Sequence, residues 1–449
     1  MRTILPENLI DLANTCDAPL YVVGGFVRDY LAHLTPIASP RDIDICAPLS
    51  PEKFVQAAQK CGFSVQAVYK TTGTVKCSDG AGNDYEFSCF RSDKYVRGVH
   101  TPVEIFFTDD ITLDAKRRDF TANAVYYDIA ADCFVDPLDG ISAVKEKRFT
   151  TVAPAQKVFG EDGLRLMRLA RQAAQLGFSP DTECLAGATE NASLIKDITP
   201  ERIFTELSAI LYADQKYGVE YGQYEGLTLL DKTRVLDYIL PELTLGRGMT
   251  QRADFHKYDV LEHSLHAVKY ADKRIRFAAL LHDVGKPFCI IRDGNSFDHP
   301  SEGERLTTEI LTRLKAPKKT VSLTASLVKW HMYDFNCQTS ENKLRRFFAQ
   351  HYALLEDLLL VKQADFSACM DKQTPAPTVV KWQKLLDTLQ AEGAPLTLKQ
   401  LAVTGNDLLG VIPSTRIAEA LQKLLLHTVV NPSDNRKERL LKLVHGFVK

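Results

Sequence analysis

Short β-rich hydrophobic runs alternate with helical stretches along the first 150 residues. The clearest alternation lies at 42–45, where two aspartates and two isoleucines follow one another, so that one face of a strand is apolar and the other acidic. This part of the chain predicts a mixed sheet with helices packed on it. The predicted strands are residues 20–23, 42–46, 74–77, 85–90 and 103–107.

Beyond residue 150 the apolar positions recur with the 3.6-residue period of amphipathic helices. The clearest predicted helices are residues 163–176, 201–212, 260–270 and 305–314. A polar segment containing prolines, 371–378, separates a middle helical block from a final one. The whole chain therefore predicts an α+β fold with a mixed-sheet first part and a nearly all-α remainder.

Composition narrows the class of protein but not its chemistry. The chain has 449 residues, enough for two to four domains, and a net charge of -2, so nucleic-acid binding requires a local basic patch. Its ten cysteines form no CxxC pair, which favours reduced thiols in the cytosol. No signal peptide is recognisable, and no apolar run reaches the roughly 18 residues of a membrane span. We expect a cytoplasmic protein with no membrane partner.

Two glycines and an arginine precede the alternating aspartates. Gly24 and Gly25 would let backbone N–H groups approach a phosphate closely, and Arg28 offers a fork of donors to its oxygens. Asp42 and Asp44 would point to one face of their strand and could share metal ions. Each feature alone is compatible with a plain turn or a solvated acidic pair, but their spacing together favours nucleotidyl transfer.

Two further polar constellations follow. In the run 116–124, two arginines, Arg117 and Arg118, and the polar Asn123 could contact phosphate and ribose. On the helix predicted from 163, Arg165, Arg168 and Arg171 recur every three residues after Asp162 and would share one broad side. They could face a triphosphate or an RNA backbone, while the Asp/Arg pair presents acceptors and donors to a base edge. A solvated helix face with ion pairs is the alternative interpretation.

These motifs together resemble those of the bacterial tRNA nucleotidyltransferases, the CCA-adding enzymes of the class II nucleotidyltransferase and poly(A) polymerase family. GGxVRD with DxD is met by residues 24–29 and 42–44, RRDFxxNA by 117–124, and EDxxRxxR by 161–168. A later PERI sequence at 200–203, with Glu206, resembles the last motif of the head and neck.

The resemblance implies roles for individual residues. Asp42 and Asp44 would bind two Mg²⁺ ions, and Glu86 stands where the superfamily often has a third catalytic carboxylate. Asp162 and Arg165 would form the protein template for CTP and ATP. The implied nucleotide-binding set is Gly24, Gly25, Arg28, Arg118, Asn123, Asp162, Arg165, Arg168 and Arg171.

The chain also departs from the family pattern. Ala143 and Thr150 stand where an acidic residue and an arginine are usual, and Gln172 replaces a phenylalanine. The segment 91–114, which contains His100, resembles the flexible loop associated with the switch from C to A addition. Because this loop segment is complete in the chain, the resemblance favours full CCA addition over an enzyme that adds only CC.

A second chemistry is indicated in the helical half, where histidines and aspartates occur in the order H, HD, H, H, D. This order resembles the HD phosphohydrolase superfamily and implies one or two divalent ions, a transition metal among them, that activate water for phosphoester cleavage. A helical body that no longer catalyses is the alternative. The implied ligands are His263, His282, Asp283 and Asp365, with His299 and His331 as further candidates.

The resemblance divides the chain into a nucleotidyltransferase head or palm (1–150), a helical neck (151–250), an HD domain (251–372) and a tRNA-binding tail (373–449), arranged as an elongated molecule. In the tail, Arg436, Lys437, Arg439 and Lys442 could contact the RNA backbone, although a solvated helix is an alternative.

The expected activity is template-independent addition of CMP, CMP and AMP to tRNA, with CTP and ATP as substrates and no obligate protein partner. Three alternatives stay open: an A-adding, CC-adding or poly(A)-making homologue, an HD-centred phosphohydrolase, and a non-catalytic RNA-binding protein.

Overall fold

A computed structural model describes residues 1–37, 42–96, 102–252 and 254–447. Arg41, next to the first aspartate pair, and His100, in the predicted loop, lie outside the described residues. The chain forms two compact units. The first comprises Met1–Thr244 with Arg313–Ala316, and the second comprises Leu245–Thr312 with Pro317–Lys449. Within the described ranges, no helix is both long and apolar enough to span a membrane.

A seven-stranded mixed sheet organises the start of the first unit, in the order β3-β4-β5-β2-β1-β8-β9. Strands β2 and β5 are parallel, and the other neighbouring pairs in this sheet are antiparallel. Two short pairs, β6 with β7 and β10 with β11, lie outside it. The strands are β1 Tyr21–Val23, β2 Asp42–Ala47, β3 Ser64–Tyr69, β4 Thr74–Ser78, β5 Asp84–Cys89, β6 Arg91–Lys94, β7 Glu104–Phe107, β8 Tyr126–Asp128, β9 Cys133–Val135, β10 Arg148–Phe149 and β11 Ser179–Pro180.

Strand β2 has the two-faced character that its sequence predicts. Ile43 and Ile45 are fully buried in the hydrophobic core, whereas Asp42 and Asp44 lie on the other face of the strand. Behind the sheet, Phe54 stacks on Phe87 with ring centroids 3.8 Å apart. The apolar face therefore fixes the register of β2 and holds the two carboxylates on the opposite face.

Thirteen α-helices belong to the described part of the first unit. Their ends follow ordinary capping rules. For example, Pro51 starts one helix with Ser50 as its N-cap, and Gly177, at φ 66°, ends another. The helices are α1 Glu7–Thr15, α2 Gly25–Leu31, α3 Pro51–Lys60, α4 Ile111–Lys116, α5 Gly140–Lys145, α6 Ala155–Glu161, α7 Leu164–Leu176, α8 Thr182–Glu190, α9 Pro200–Leu211, α10 Asp214–Tyr217, α11 Gly222–Lys232, α12 Leu236–Ile239 and α13 Pro241–Thr244.

The second unit is helical. Between its helices lie short 3₁₀ turns such as Lys273–Ile275 and Tyr352–Leu354. Its helices, of which the first lies in the predicted HD domain and the last in the predicted tail, are α14 Val260–Tyr270, α15 Arg276–Leu281, α16 Lys286–Asp293, α17 His299–Arg313, α18 Lys318–Trp330, α19 Glu341–Gln350, α20 Leu355–Cys369, α21 Pro377–Ala391, α22 Gly405–Leu408, α23 Ile417–Thr428 and α24 Lys437–Phe447.

The predicted strands and helices are confirmed, with ends that differ by one or two residues in most cases. The helix predicted at 305–314 forms the later part of α17, whose start was missed. Strand β3 was also missed, because its pattern mixes polar and apolar residues and contains a bulge between Val65 and Ala67. The division into head, neck, HD domain and tail stays a prediction.

Candidate active site

Four carboxylates gather on the polar face of the sheet. Asp42 and Asp44 lie on β2, and the parallel register pairs Asp44 with Glu86 and Asp42 with Asp84 on β5. Burial, together with the carboxylates of Glu86 and Asp84, raises the pKa of Asp42. Burial also raises the pKa of Asp44 to about 6, with Asp42 and Glu86 adding to the shift and Arg118 opposing it. Such crowding of negative charge is the environment that a divalent cation relieves.

The glycine pair lets the backbone approach these acids. Gly24 has φ 76°, and a Cβ atom there would lie 2.9 Å from Asp44 Oδ2. A side chain at this position is therefore excluded both by backbone strain and by contact with the carboxylate. Gly25 begins α2 and lies against the guanidinium of Arg28.

The carboxylates Asp42 and Asp44 line a cleft with a volume of about 470 Å³. Its lining has eight arginines and one lysine against five aspartates, so a net positive cavity opens beside the acidic pair. A polyanion with bound cations matches this distribution of charge. The charged lining residues are Arg28, Arg91, Arg117, Arg118, Arg165, Arg168, Arg171, Arg202, Lys216, Asp42, Asp44, Asp93, Asp119 and Asp162.

Arg28 is held by a buried hydrogen-bond network rather than extended into the cleft. Its Nη1 donates to Asn123 Oδ1 at 2.7 Å and to Gln172 Oε1 at 2.9 Å, and its Nε donates to Asp29 Oδ1 at 3.0 Å. Asn123 Nδ2 donates to Asp119 Oδ1 and to Gln172 Oε1. Arg28 and Asn123 thus line the cleft, but most of their polar atoms contact protein.

The second motif supplies a paired arginine cluster. Arg117 and Arg118 both bind the fully buried Asp114, at 2.7 Å and 3.1 Å. Arg118 Nε also donates to Tyr126 Oη at 3.2 Å, and Tyr126 and Asp114 raise the pKa of Arg118 against the effect of burial. Arg118 is therefore a fixed positive charge near Asp44, not the solvated arginine of the alternative interpretation.

Helix α7 brings the third motif to the same cleft. Arg165 Nη2 donates to the Arg117 carbonyl at 2.8 Å, and its Nη1 donates to the Val158 carbonyl and to Glu161. Arg168 makes two hydrogen bonds to Asp119 Oδ2.

The start and the last turns of α7 complete this face. Asp162 Oδ1 accepts a hydrogen bond from the Leu164 N–H at 2.9 Å. The second carboxylate oxygen of Asp162 is not used in this bond. Arg171 Nε donates to Glu206 Oε2 at 2.6 Å, which connects α7 with α9. Asp162, Arg165, Arg168 and Arg171 all line the cleft, as the three-residue spacing predicts.

Sequence reasoning missed several residues of the cleft, among them Gln172, Tyr95 and Lys216. Gln172 was noted only as a departure, and Tyr95 and Lys216 carry no motif. The ring of Tyr95 lies 5.5 Å from the guanidinium of Arg165. Burial, with nearby Arg28 and Arg171, lowers the pKa of Lys216. No local pattern marks Lys216, because its place in the cleft depends on how α10 packs.

The predicted HD residues converge in the second unit. His263 Nε2 lies 3.1 Å from His282 Nε2 and 3.0 Å from Asp365 Oδ1. Asp283 is central, with Oδ2 3.3 Å from His282 Nε2 and Oδ1 3.4 Å from His299 Nε2. His331 Nε2 lies 3.3 Å from His299 Nε2 and 3.8 Å from Asp283 Oδ1. We call these six residues, His263, His282, Asp283, His299, His331 and Asp365, the HD cluster.

Backbone carbonyls fix the orientation of three of the imidazole rings through their Nδ1 atoms. The Nδ1 atoms of His282, His299 and His331 lie 2.6–2.8 Å from backbone carbonyls three residues earlier, so these N–H groups donate and leave Nε2 as a lone-pair donor. Four histidine nitrogens and two carboxylates facing one another suit divalent transition metals. His299 and His331, the further candidates, thus lie within the cluster.

Comparison with known proteins places both units in context. The family model described as "Poly A polymerase head domain" matches residues 20–150, and "Probable RNA and SrmB- binding site of polymerase A" matches residues 177–245. The fold resembles the Bacillus stearothermophilus CCA-adding enzyme solved with CTP, with TM-score 0.66, 23% identity and 98% of each chain covered. It also resembles the Thermotoga maritima CCA-adding enzyme solved with tRNA, with TM-score 0.63, 16% identity and coverage of 98% and 94%. The predicted α+β fold is thereby confirmed.

Sequence relatives identify the family. The A-adding tRNA nucleotidyltransferase of Deinococcus radiodurans is 33% identical over 334 residues, which are 69% of this chain and 74% of that protein. The CCA-adding enzyme of Lactococcus lactis subsp. cremoris is 32% identical over 240 residues, 53% of this chain and only 56% of that protein. The chain therefore belongs to the tRNA nucleotidyltransferase and poly(A) polymerase family, as its motifs indicated.

Proposed function

We propose that this protein adds CMP, CMP and AMP in turn to the 3′ end of tRNA, using CTP and ATP and releasing pyrophosphate. The observation that carries the proposal is the acidic pair Asp42 and Asp44, which lies beside Glu86 and lines an arginine-rich cleft. A non-catalytic RNA-binding protein would gain nothing from carboxylates crowded enough to raise the pKa of Asp44 to about 6.

Asp42 and Asp44 are the residues that would hold Mg²⁺, and the raised pKa of both carboxyls fits a site that binds cations. When bound, the ion supplies Lewis-acid stabilisation of the charge that develops during phosphoryl transfer. Arg118, fixed by Asp114 and Tyr126, neutralises the triphosphate. Arg28, fixed by Asn123 and Gln172, orients the same phosphates through its remaining N–H.

Base choice is assigned to Asp162 and Arg165. Cytosine and adenine each present an amino group beside a ring nitrogen that accepts a hydrogen bond, whereas uracil and guanine present a carbonyl beside an N–H. The second carboxylate oxygen of Asp162 accepts from the amino group, and Arg165 donates to the ring nitrogen. Because Arg165 is held by two backbone carbonyls and Glu161, its donors keep one direction without a nucleic-acid template.

An A-adding enzyme is the second candidate within the family, favoured by the Deinococcus radiodurans relative. Both candidates are tested by incubating the protein with Mg²⁺ and two tRNA transcripts, one that lacks the whole CCA end and one that lacks only the terminal A. CTP and ATP are supplied singly and together, and products are resolved at single-nucleotide length. Growth by three residues only with both nucleotides supports CCA addition. Addition of a single A, and only to the transcript that already ends in CC, supports A addition instead.

A phosphohydrolase activity of the HD cluster is proposed as a second function, supported by the convergence of four histidine Nε2 atoms on Asp283 and Asp365. The test is hydrolysis of phosphomonoesters and 2′,3′-cyclic nucleotides in the presence of Mn²⁺, Co²⁺ or Ni²⁺. D283N should lose hydrolysis and keep tRNA extension, and D44A should do the reverse. Loss of both activities in either variant would contradict two independent sites.

A further inference from the structure

A segment between α13 and α14 packs against the HD cluster. The Lys257 N–H donates to the Cys369 carbonyl at 2.8 Å, at the end of α20. Lys286 Nζ donates to Gln251 Oε1 at 2.8 Å and contacts Asp283 Oδ2 at 2.7 Å. These contacts hold Gln251 and Lys257 near the cluster, and the ring of His256 lies beside that of His263.

His263 differs from the other histidines of the cluster. Its Nε2 faces Asp365 and His282, but its fully buried Nδ1 has no hydrogen-bond partner, whereas His282, His299 and His331 each have a carbonyl behind Nδ1. Beside it lies the ring of His256, with centroids 4.8 Å apart and planes at 87°. The Nδ1 of His256 is likewise buried and without a partner.

Cys369 completes the group. It follows Asp365 by four residues on α20 and so lies on the same face of that helix. His256, His263 and Cys369 each bring one potential ligand atom within 4.8 Å of the other two. Two buried imidazole nitrogens lacking partners are costly unless something binds them, so the arrangement is incomplete as a purely structural one.

We propose that His256, His263 and Cys369 form an auxiliary metal subsite that binds a thiophilic divalent ion such as Zn²⁺. Sulfur and imidazole ligands select such ions, whereas Mg²⁺ requires oxygen ligands. On binding, the Cys369 thiol releases its proton to solvent as the metal–sulfur bond forms, and His263 releases its ring N–H proton when it holds one ion through each nitrogen. The inference rests in part on the proposed HD function, because His263 is shared, but its distinguishing ligand is the thiolate of Cys369.

Cobalt is the probe that separates the two sites. The full-length protein is stripped of metal by a chelator and titrated with Co²⁺. Ions in the HD cluster give only weak visible d–d bands, whereas a thiolate ligand adds an intense sulfur-to-cobalt charge-transfer band in the near ultraviolet. We expect both in the wild-type protein. C369S should lose the charge-transfer band, keep the d–d bands and bind one fewer Zn²⁺ per chain.

C337S provides the matched control, because Cys337 is a half-buried thiol of the same unit that contacts Thr378 and lies outside the subsite. It should retain the charge-transfer band. Retention of the visible d–d bands by C369S shows that the HD cluster of the variant is folded. Visible bands without a charge-transfer band in the wild type would overturn the subsite alone, as would a band that survives C369S. Absence of any cobalt band would overturn both the subsite and metal binding by the HD cluster.

Discussion

Glu86 lies directly beside Asp44 in the parallel ladder between β2 and β5. Parallel partners point to the same face of a sheet, so Glu86 belongs to the acidic face and contributes to the raised pKa of Asp44. Lys76, its neighbour on β4, is 3.4 Å away and partly balances its charge. Glu86 is therefore placed to share in cation binding although it stands 42 residues after Asp44 in the chain.

We expect E86Q to lower kcat/KM for nucleotide addition by about 10- to 100-fold and to raise the Mg²⁺ concentration needed for half-maximal rate. D44A should lose roughly 1000-fold or more, because it removes a principal metal ligand. D84N is the matched control, since Asp84 lies one step of the ladder away beside Asp42. An equal loss in D84N and E86Q would mean that only the total negative charge matters.

The raised pKa of Asp44 predicts a pH dependence. With a pKa of about 6, Asp44 is largely ionised at pH 7.5 and increasingly protonated below pH 6, so cation binding weakens as the pH falls through this range. We expect kcat/KM at low Mg²⁺ to rise with pH through about 6 and then to level off. High Mg²⁺ should move the midpoint downward, because the ion binds the ionised form. If the midpoint of the pH profile of kcat/KM does not change with the Mg²⁺ concentration, the group that titrates is not Asp44.

The same shift predicts a stability effect of opposite sign. Because the folded-state pKa of Asp44, about 6, lies above the usual value of 3.8, the native state holds the proton more tightly. The stability of the metal-free fold therefore falls as the pH rises from about 3.8 to about 6, and the loss is complete above that range. D44N should raise the Tm of the metal-free protein at pH 8. The difference should vanish below pH 3.8, where Asp44 is neutral in both the folded and the unfolded state. Thermal melts with and without Mg²⁺ at both pH values provide the measurement.

Gln172 tests how the head motif is held in position. Its Oε1 accepts from Arg28 and Asn123, and its Nε2 lies 3.3 Å from Asp119 Oδ2. Q172L removes these bonds in a site where the side chain is only 4% exposed. We expect kcat/KM to fall about 10- to 100-fold, mainly through a higher KM for the nucleotide as Arg28 loses its orientation.

Q172E is the informative companion to Q172L, because it keeps both acceptor bonds and replaces the donor to Asp119 by a second carboxylate. If Oε1 positions Arg28, KM should recover more in Q172E than in Q172L at equal folded fraction, which circular dichroism checks. Equal KM values for Q172L and the wild type would limit Gln172 to a packing role.

The parts of this site that are local in sequence could be predicted, and the parts that depend on packing could not. The alternation Asp42-Ile43-Asp44 fixes which faces are buried, and the three-residue spacing on α7 places its arginines together. Lys216 could not be found, because α10 reaches the cleft only through the packing of the helices of the first unit. The same limit applies to Gln172, whose partners lie 49 to 144 residues away.

The family resemblance predicted a ligand contact for Asn123, but the hydrogen bonds of its side chain go to other protein residues. Asn123 was expected at the ribose, yet its side chain is bonded to Arg28, Asp119 and Gln172. A motif indicates that a residue is needed, not whether it touches the ligand or holds a neighbour. Its ribose contact stays a prediction.

A variant of Arg165 should distinguish the selection of the base from the binding of the phosphates. R165K keeps the positive charge but loses the planar guanidinium group. A lysine ammonium cannot replace its hydrogen bonds to the Arg117 and Val158 carbonyls and donate to a base edge at the same time. We expect roughly 10- to 100-fold lower kcat/KM with CTP and ATP, and a smaller ratio of CTP over UTP use. R202K, at a more exposed arginine of the cleft, is the control and should leave that ratio unchanged.

Asp283 divides the HD cluster into two halves, and this division predicts unequal effects of its variants. Oδ2 faces His263 and His282, and Oδ1 faces His299 and His331. A carboxylate placed in this way can bridge two ions, so D283N should lose both, whereas H331A should lose only the ion on its own side. Counting HD-bound Mn²⁺ per chain after dialysis measures this directly, with tRNA extension as the folding control. Equal loss in the two variants would mean that the cluster holds a single ion, to which His331 is as necessary as Asp283.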